Sequence, residues 1–521
     1  MIGSIPKSMV AVTLLFFVLL QLPGSMAIAQ AINVLQPKSA ITFAFVSADD
    51  GARGSTMTLQ ELQQAQKKSE EIAEPLRIHA AGEPSPALKY RLYPARWELQ
   101  PGSAVLHYTR AQILFLQLPK ETQIQWQMWY GEDKTPTDDE LANAVVSLQQ
   151  IFNELHNLAQ SEDLTWDHRI RDLRGPEVYA YLLPDVQEAR SMARLLRLKI
   201  KHQLKQKDFD GAISAISDGM RLAEFVGQGE TVIQKLVGIA IMAMMRECIV
   251  ETISTAGSPN LYWALASVPQ PLIDMREAVL WELGNIQNVL PALKEAETAN
   301  WSDAEAAKKW TSLVADLGTL GAGDQVDGIS VQLVLAIAGV MHVDAARERL
   351  LTRGVSEERL AKMPVLQIVL LDASQELKNF GDELGKGHLL PASISKSLLE
   401  RENGEYEDWI RQHRTTSVGA AIGGLLFPAV RQARTAETRT LMNHNRLMTL
   451  EAIRMHAAEH SGELPKSLAE LNPAPAMPDP TSGQGFEYSI ESTDEQKTIV
   501  LKAAEPLNWK QNQEFRATLV K

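Results

Sequence analysis

Residues 184–227 read PDVQEARSMARLLRLKIKHQLKQKDFDGAISAISDGMRLAEFVG. The first part carries apolar side chains at helical spacing, KDFDG is a short polar turn, and AISAISDGMRLAEFVG resumes the helical period. The pattern predicts two antiparallel helices. It sets the fold class, because the same period extends outward in both directions.

Downstream, TVIQKLVGIAIMAMMRECIVETI is apolar on every face, as a helix in the middle of a core would be. Lys235 and Arg246 interrupt it, leaving too short an uncharged run to span a bilayer of about 20 residues. The single cysteine, Cys248, sits among apolar neighbours and reads as a buried, inert thiol. SPNLYWALASVPQPLIDMREAVLWEL predicts two further helices, broken at Pro269 and Pro271. Long helices then continue to about Arg414. Upstream, PGSAVLHYTRAQILF and TPTDDELANAVVSLQQIF read as helices. Thr137 can cap the second, and Asp138, Asp139 and Glu140 suit its positive end. Residues 85–414 are therefore expected to form one helical body. Two apolar runs, residues 328–343 and 418–430, are shorter than a bilayer requires and are expected to be buried helices.

The last hundred residues change character. A polar helix is expected over residues 430–460. SGELPKSLAEL, the Pro-rich NPAPAMPDPTSGQG and two strand-like runs, FEYSI and TIVLKA, follow it. ESTDEQK between the runs suits a hairpin loop, giving a small α+β module over residues 415–521. Pro465, Leu468 and Leu471 are expected to dock the segment after the helix.

The N-terminus points to export. Lys7 precedes MVAVTLLFFVLL, and PGSMAIAQ places small residues at Ala27 and Ala29, so residues 1–29 read as a signal peptide cut after Ala29. A membrane anchor is expected only if this segment stays uncleaved. Residues 30–84, rich in small residues, Gly and Pro, read as a linker with one helix over about residues 58–72. The formal charge of -13 repels phosphate backbones and argues against a nucleic-acid partner.

Three resemblances add to this reading. KDFDG with its aromatic, followed by Ala-Ile, resembles a tetratricopeptide hairpin. No second clean copy of the 34-residue repeat is found, so an ordinary helix pair and a degenerate solenoid both stay open. LLFPAVRQARTAETR, HAAEHSGELPKSLAEL and PDPTSGQGFEYSI resemble parts of a type II secretion pseudopilin. That resemblance implies a long helix, a Gly/Asp-Pro loop and a small sheet. Where the pseudopilin cleavage site and membrane helix would stand, this chain has the internal TTSVGAAIGG, without a Glu at the fifth position. YRLYPARWELQPGSAVLHYTRAQILF, RLLRLKIKHQLKQKDFDGAI and PNLYWALASVPQPLIDMREAV resemble a family of uncharacterised exported bacterial proteins. This implies architecture and export, with no activity attached.

One chemical motif stands out. HAAEH places His456 and His460 four apart with Glu459 between them, the ligand spacing of a class of zinc proteases. Four-residue spacing puts both imidazoles on one helix face. Against this, Ser461 and Gly462 end the helix at once. Leu447, Leu450, Ile453 and Ala457 define the expected buried stripe, with His460 bordering it and His456 toward its polar edge. Any third ligand, such as Glu487 or Glu491, would have to come from the hairpin. WDHRIRD brings Asp167, His168 and Asp172 together and reads as a polar loop. No catalytic residue and no cofactor is assigned. The chain is expected to be an exported scaffold or interaction protein of the cell envelope, with protein or peptide partners. The alternatives are a zinc hydrolase using His456 and His460, or an accessory part of a secretion or pilus-like assembly.

Overall fold

The computed structural model describes residues 75–130, 135–166, 168–319, 343–414, 416–426, 428–492, 496–504 and 514–520. The expected signal peptide, most of the expected linker with its helix, Asp167 and all but the last residue of the apolar run 328–343 lie outside these residues. The protein is mainly helical with a small sheet: seventeen α-helices and six strands occur among the described residues.

In chain order, β1 (Leu76–His79) and β2 (Gln100–Ser103) precede α1 (Ala104–Leu116), α2 (Lys120–Tyr130), α3 (Asp138–Ser147) and α4 (Gln149–Gln160). After β3 (Ser161–Asp163) come α5 (Glu177–Lys205), α6 (Phe209–Gly227), α7 (Val232–Ser254), α8 (Tyr262–Ala266), α9 (Arg276–Val289), α10 (Pro291–Thr298) and α11 (Asp303–Thr319). Next are α12 (Val343–Thr352), α13 (Glu357–Ala361), α14 (Val365–Lys386), α15 (Ala392–His413), α16 (Val418–Leu426) and α17 (Pro428–Glu459). Strands β4 (Glu487–Ser492), β5 (Lys497–Lys502) and β6 (Glu514–Val520) close the chain.

The quoted stretch is a helical hairpin, α5 packed on α6. Its turn is tighter than KDFDG suggested. Lys207 takes a positive φ of 57°, and Asp208 accepts from the Gly211 amide at 3.0 Å, so α6 begins at Phe209. α5 starts at Glu177 and runs through Pro184, which forfeits one backbone hydrogen bond without ending the helix. Thr137 caps α3 in a capping box with Glu140, as expected.

α7 is capped by a box between Thr231 and Gln234, and most of its residues are buried. It lies very close to α6. A Cβ on Gly238 would stand 2.7 Å from the Ala223 carbonyl oxygen and 3.1 Å from the Gly227 Cα, so the two backbones touch there. Around this pair, α4 packs on α1 and on α6. A second helical group surrounds α14, which contacts α9, α10, α11, α12 and α16. α17 joins the two groups, packing on α7, α8, α9 and α16.

The sheet is larger than the expected hairpin. Its order is β1-β6-β5-β4; β4, β5 and β6 are antiparallel neighbours, and β1 lies parallel to β6. β6, EFRATLV, alternates with Ala517 fully buried, but Arg516 and Thr518 dilute its apolar signal. β1 comes from the segment read as linker. Four residues carry too little periodicity to show a strand, and its partner is more than 430 positions away. Ile78, Ile499, Leu501 and Ala517 have no exposed surface and bind the sheet to the helices. The loop before β4 is organised by buried Asp479. It accepts from the Thr481 amide at 2.8 Å, the Thr481 hydroxyl at 2.7 Å and the Ala504 amide at 3.0 Å. In the docking segment the buried residues are Leu464, Pro465 and Leu471, and Leu468 is only partly covered.

Candidate functional site

His456 and His460 do share a helix face. Their rings stack with centroids 3.9 Å apart and 12° between planes. His460 Nδ1 bonds the His456 carbonyl at 2.8 Å, so one of its nitrogens is held by the helix itself. Glu491, a candidate third ligand, bonds Arg516 at 3.2 Å. No group of three or more His, Cys, Asp or Glu side chains suited to a metal occurs among the described residues. The expected order of burial is reversed: His456 is buried and His460 exposed. α17 is enclosed on all sides from His444 to Ala457. It therefore has no polar edge for His456 to occupy, and exposure begins only where the helix leaves the core. Burial and the neighbouring His460 lower the pKa of His456.

Glu451 and Arg454 of α17 are buried together with their partners. Arg454 and Glu451, both without exposed side-chain surface, pair at 2.6 Å. Arg454 Nε donates to the His79 carbonyl at 2.7 Å, and its guanidinium also reaches Ser258 Oγ at 2.9 Å. Glu451 accepts from the Leu261 amide at 2.6 Å. Asn260 donates to the Glu451 carbonyl at 2.8 Å and to the Ala81 carbonyl at 3.2 Å. One helical turn thus fastens the end of β1, the loop before α8 and α17 together. A second polar knot lies beside α14. Arg349 and Arg353 hold Asp372 at 2.6 and 2.9 Å, and Glu376 accepts from Ser417. Burial and the adjacent Asp372 raise the Glu376 pKa.

Between α6, α7, α8 and α17 lies a small hollow of about 10 Å³, room for about one water. Met220, Met242, Leu265 and Leu272 form its apolar wall, and Arg246, Thr440 and His444 supply its polar groups. His444 is 4% exposed, and its Nε2 has no hydrogen-bond partner among the described residues. Burial holds the His444 pKa down at about 4, with Arg246 pushing in the same direction. Arg246 is itself lowered to about 10 by burial, and the neighbouring Arg439 lowers it further. Two features of the sequence mark this place: a single arginine in the most apolar helix, and a histidine one turn after a threonine in another.

The remaining motifs are structural. His168 bonds Asp185 at 3.0 Å and stacks on Trp166 at 4.4 Å. That aromatic cluster continues to Phe225 and Tyr108 and seats the loop before α5. Cys248 is fully buried, and burial pushes its thiol far above the usual range. Among the described residues no helix is long and apolar enough to cross a membrane. Exposed apolar side chains gather on α1, where Leu106, Ile113 and Leu116 are 53%, 51% and 62% exposed. Upstream of α1, Trp97 is 83% exposed. No family model, curated protein or solved structure matches the chain.

Proposed function

We propose that the chain is an exported interaction protein of the bacterial cell envelope, whose helical body holds a protein partner. One observation carries this reading. At 100° per residue, Leu106, Ile113 and Leu116 fall within an arc of about 80° on the outer face of α1, while Ala104, Tyr108 and Ala111 are buried on the other. An aligned apolar stripe on a helix that already has a buried face is the signature of a contact surface. An exposed tryptophan nearby suits an anchor residue. The tetratricopeptide-like reading of α5 and α6 and the N-terminal order of charge, apolar run and small residues support a partner-holding role after export.

A photo-crosslinking residue placed at Ile113 in living cells tests this. The expected result is a discrete adduct at Ile113 that is absent at exposed, polar Glu358 and is lost in Leu106→Asp. Equal labelling at both positions, with Leu106→Asp indistinguishable from wild type, would refute it. Intact mass of the envelope form should begin at Gln30.

The second reading is an accessory part of a secretion or pilus-like assembly. It is favoured by the order of parts at the C-terminus: a 32-residue helix, a loop organised by Asp479, then an antiparallel β-hairpin. Under this reading the Ile113 adduct would be a component of that assembly.

A further inference from the structure

The sheet has two edges, and they differ. β1 lies against α7, and the His79 carbonyl at its end is taken by Arg454. β4 pairs with β5 alone, in unbroken register from Glu487 to Ser492. No residue of β4 is buried, whereas each of the other strands of this sheet has at least one that is. In an antiparallel edge strand every second residue turns its N–H and C=O away from its neighbour. Among the described residues, the backbone of residues 487–492 bonds to nothing besides β5. The strand has no proline and no bulge to close this edge, and its only guard is charge. Tyr488 and Ile490 pack partly buried on the core, and the Tyr488 hydroxyl donates to the Pro465 carbonyl at 2.8 Å. Glu487, Ser489 and Glu491 alternate onto the outer face, all exposed. Glu491 is bonded to Arg516 at 3.2 Å. Glu487 makes no ion pair among the described residues, because its cross-strand neighbour Lys502 pairs with Glu514 at 2.9 Å. A guard of this sign repels an acidic strand and admits a basic one.

We propose that β4 is a docking edge for an extended segment of a partner protein in which basic and apolar residues alternate. The backbone of that segment would add a fifth strand to the four-stranded sheet. Its basic side chains would stand beside Glu487 and Glu491 on the outer face, and its apolar ones beside Tyr488 and Ile490. The net charge of -13 favours the encounter. A second copy of this chain fits less well, because pairing β4 with itself sets one acidic strand beside another. β4 and α1 are different elements at opposite ends of the described chain, so this docking stands or falls apart from the contact assigned to α1.

Fluorescence anisotropy with the purified chain and a labelled Lys-Val-Lys-Val-Lys-Val-Lys peptide tests the assignment. One control is the same peptide N-methylated at every residue, which keeps the side chains and removes the backbone donors. The other is Glu-Val-Glu-Val-Glu-Val-Glu. The expected result is saturable binding of the lysine peptide, at least about tenfold tighter than either control. Glu487→Lys, at an exposed position, should weaken it about fivefold. A measurement on the wild type keeps the test independent of the variant: bound lysine peptide should slow hydrogen exchange at amides within residues 487–492. The proposal is overturned by no saturable binding, by exchange protection that falls outside β4, or by equal affinity for the N-methylated peptide, which would mark a contact of charge alone. It is also overturned if the chain self-associates and protects residues 487–492 without peptide, since the edge then belongs to a second copy.

Discussion

α7 and α17 pack against each other in the middle of the molecule and are buried to a similar degree, yet their sequences have little in common. α7 is buried because nearly every side chain gains by leaving water. α17 carries Arg446, Glu451, Arg454, Asn445 and His444 into the same environment, where unpaired polar groups cost several kcal/mol each. Distant segments partner three of these residues: His79, Ser258 and Leu261 surround the Glu451–Arg454 pair, and the Pro478 carbonyl accepts from Asn445 at 2.7 Å. An apolar helix can be placed in a core by its own sequence. A polar helix is placed there by residues elsewhere in the chain.

The sharpest test of this contrast is the Glu451–Arg454 pair. Glu451→Ala leaves a buried guanidinium without its carboxylate and should cost about 3–5 kcal/mol in urea unfolding. Replacing both residues together, Glu451→Leu with Arg454→Met, should cost less than Glu451→Ala alone. A double change costing the sum of the singles would show that the pair is no unit.

Acid should separate the two helices next. His444 on α17 and His388, which faces Arg434 of α17, both have pKa values held down at about 4 by burial, from an ordinary 6.5. The unfolded chain binds their protons first. Stability is therefore complete above about pH 6.5 and falls as pH drops toward 4, by up to about 3 kcal/mol per histidine at 1.36 kcal/mol per unit. Urea midpoints measured across that range should follow this slope, and His444→Gln should flatten it. An unchanged slope in the variant would assign the acid response to other groups.

On the α7 side the corresponding weak point is steric. Gly238→Ala drives a methyl group into the Ala223 carbonyl, which is backbone and cannot swing away, and should cost about 1–3 kcal/mol. The smallest effect belongs to the motif that looked most chemical. His460→Ala removes an exposed ring and should change stability by no more than about 0.5 kcal/mol. Chelator should leave the melting temperature of wild type and variant equally unmoved. A chelator-dependent drop in the wild type alone would restore the zinc reading.

Legibility followed the same division. The α5–α6 hairpin, the Thr137 cap, the core position of α7 and the buried state of Cys248 were all visible in sequence, because each depends on local spacing or on a continuous apolar run. β4 and β5 were visible for the same reason. β1 and β6 were missed. The first is four residues long and pairs across almost the whole chain, and the second carries charge on its outward face. The stripe drawn on α17 was incomplete because Arg446, Glu451 and Arg454 look like solvent residues until their partners are known. Of the expected docking residues, Pro465 and Leu471 are buried and Leu468 packs on the core only partly covered, while buried Leu464 was not expected. The hollow had only faint signals, Arg246 within an apolar run and His444 one turn after Thr440.

Sequence by itself therefore determined that this protein is mainly helical, where its long helices run, and that it ends in a module with strands. These follow from hydrophobic period, caps and turns, which act over a few residues. Tertiary structure alone decided that residues 76–79 complete the sheet, that α17 is central rather than peripheral, and that Arg246 and His444 face one hollow. Each of these depends on segments from remote parts of the chain packing together. A buried charge has no local pattern, because its free energy is set by whatever packs around it.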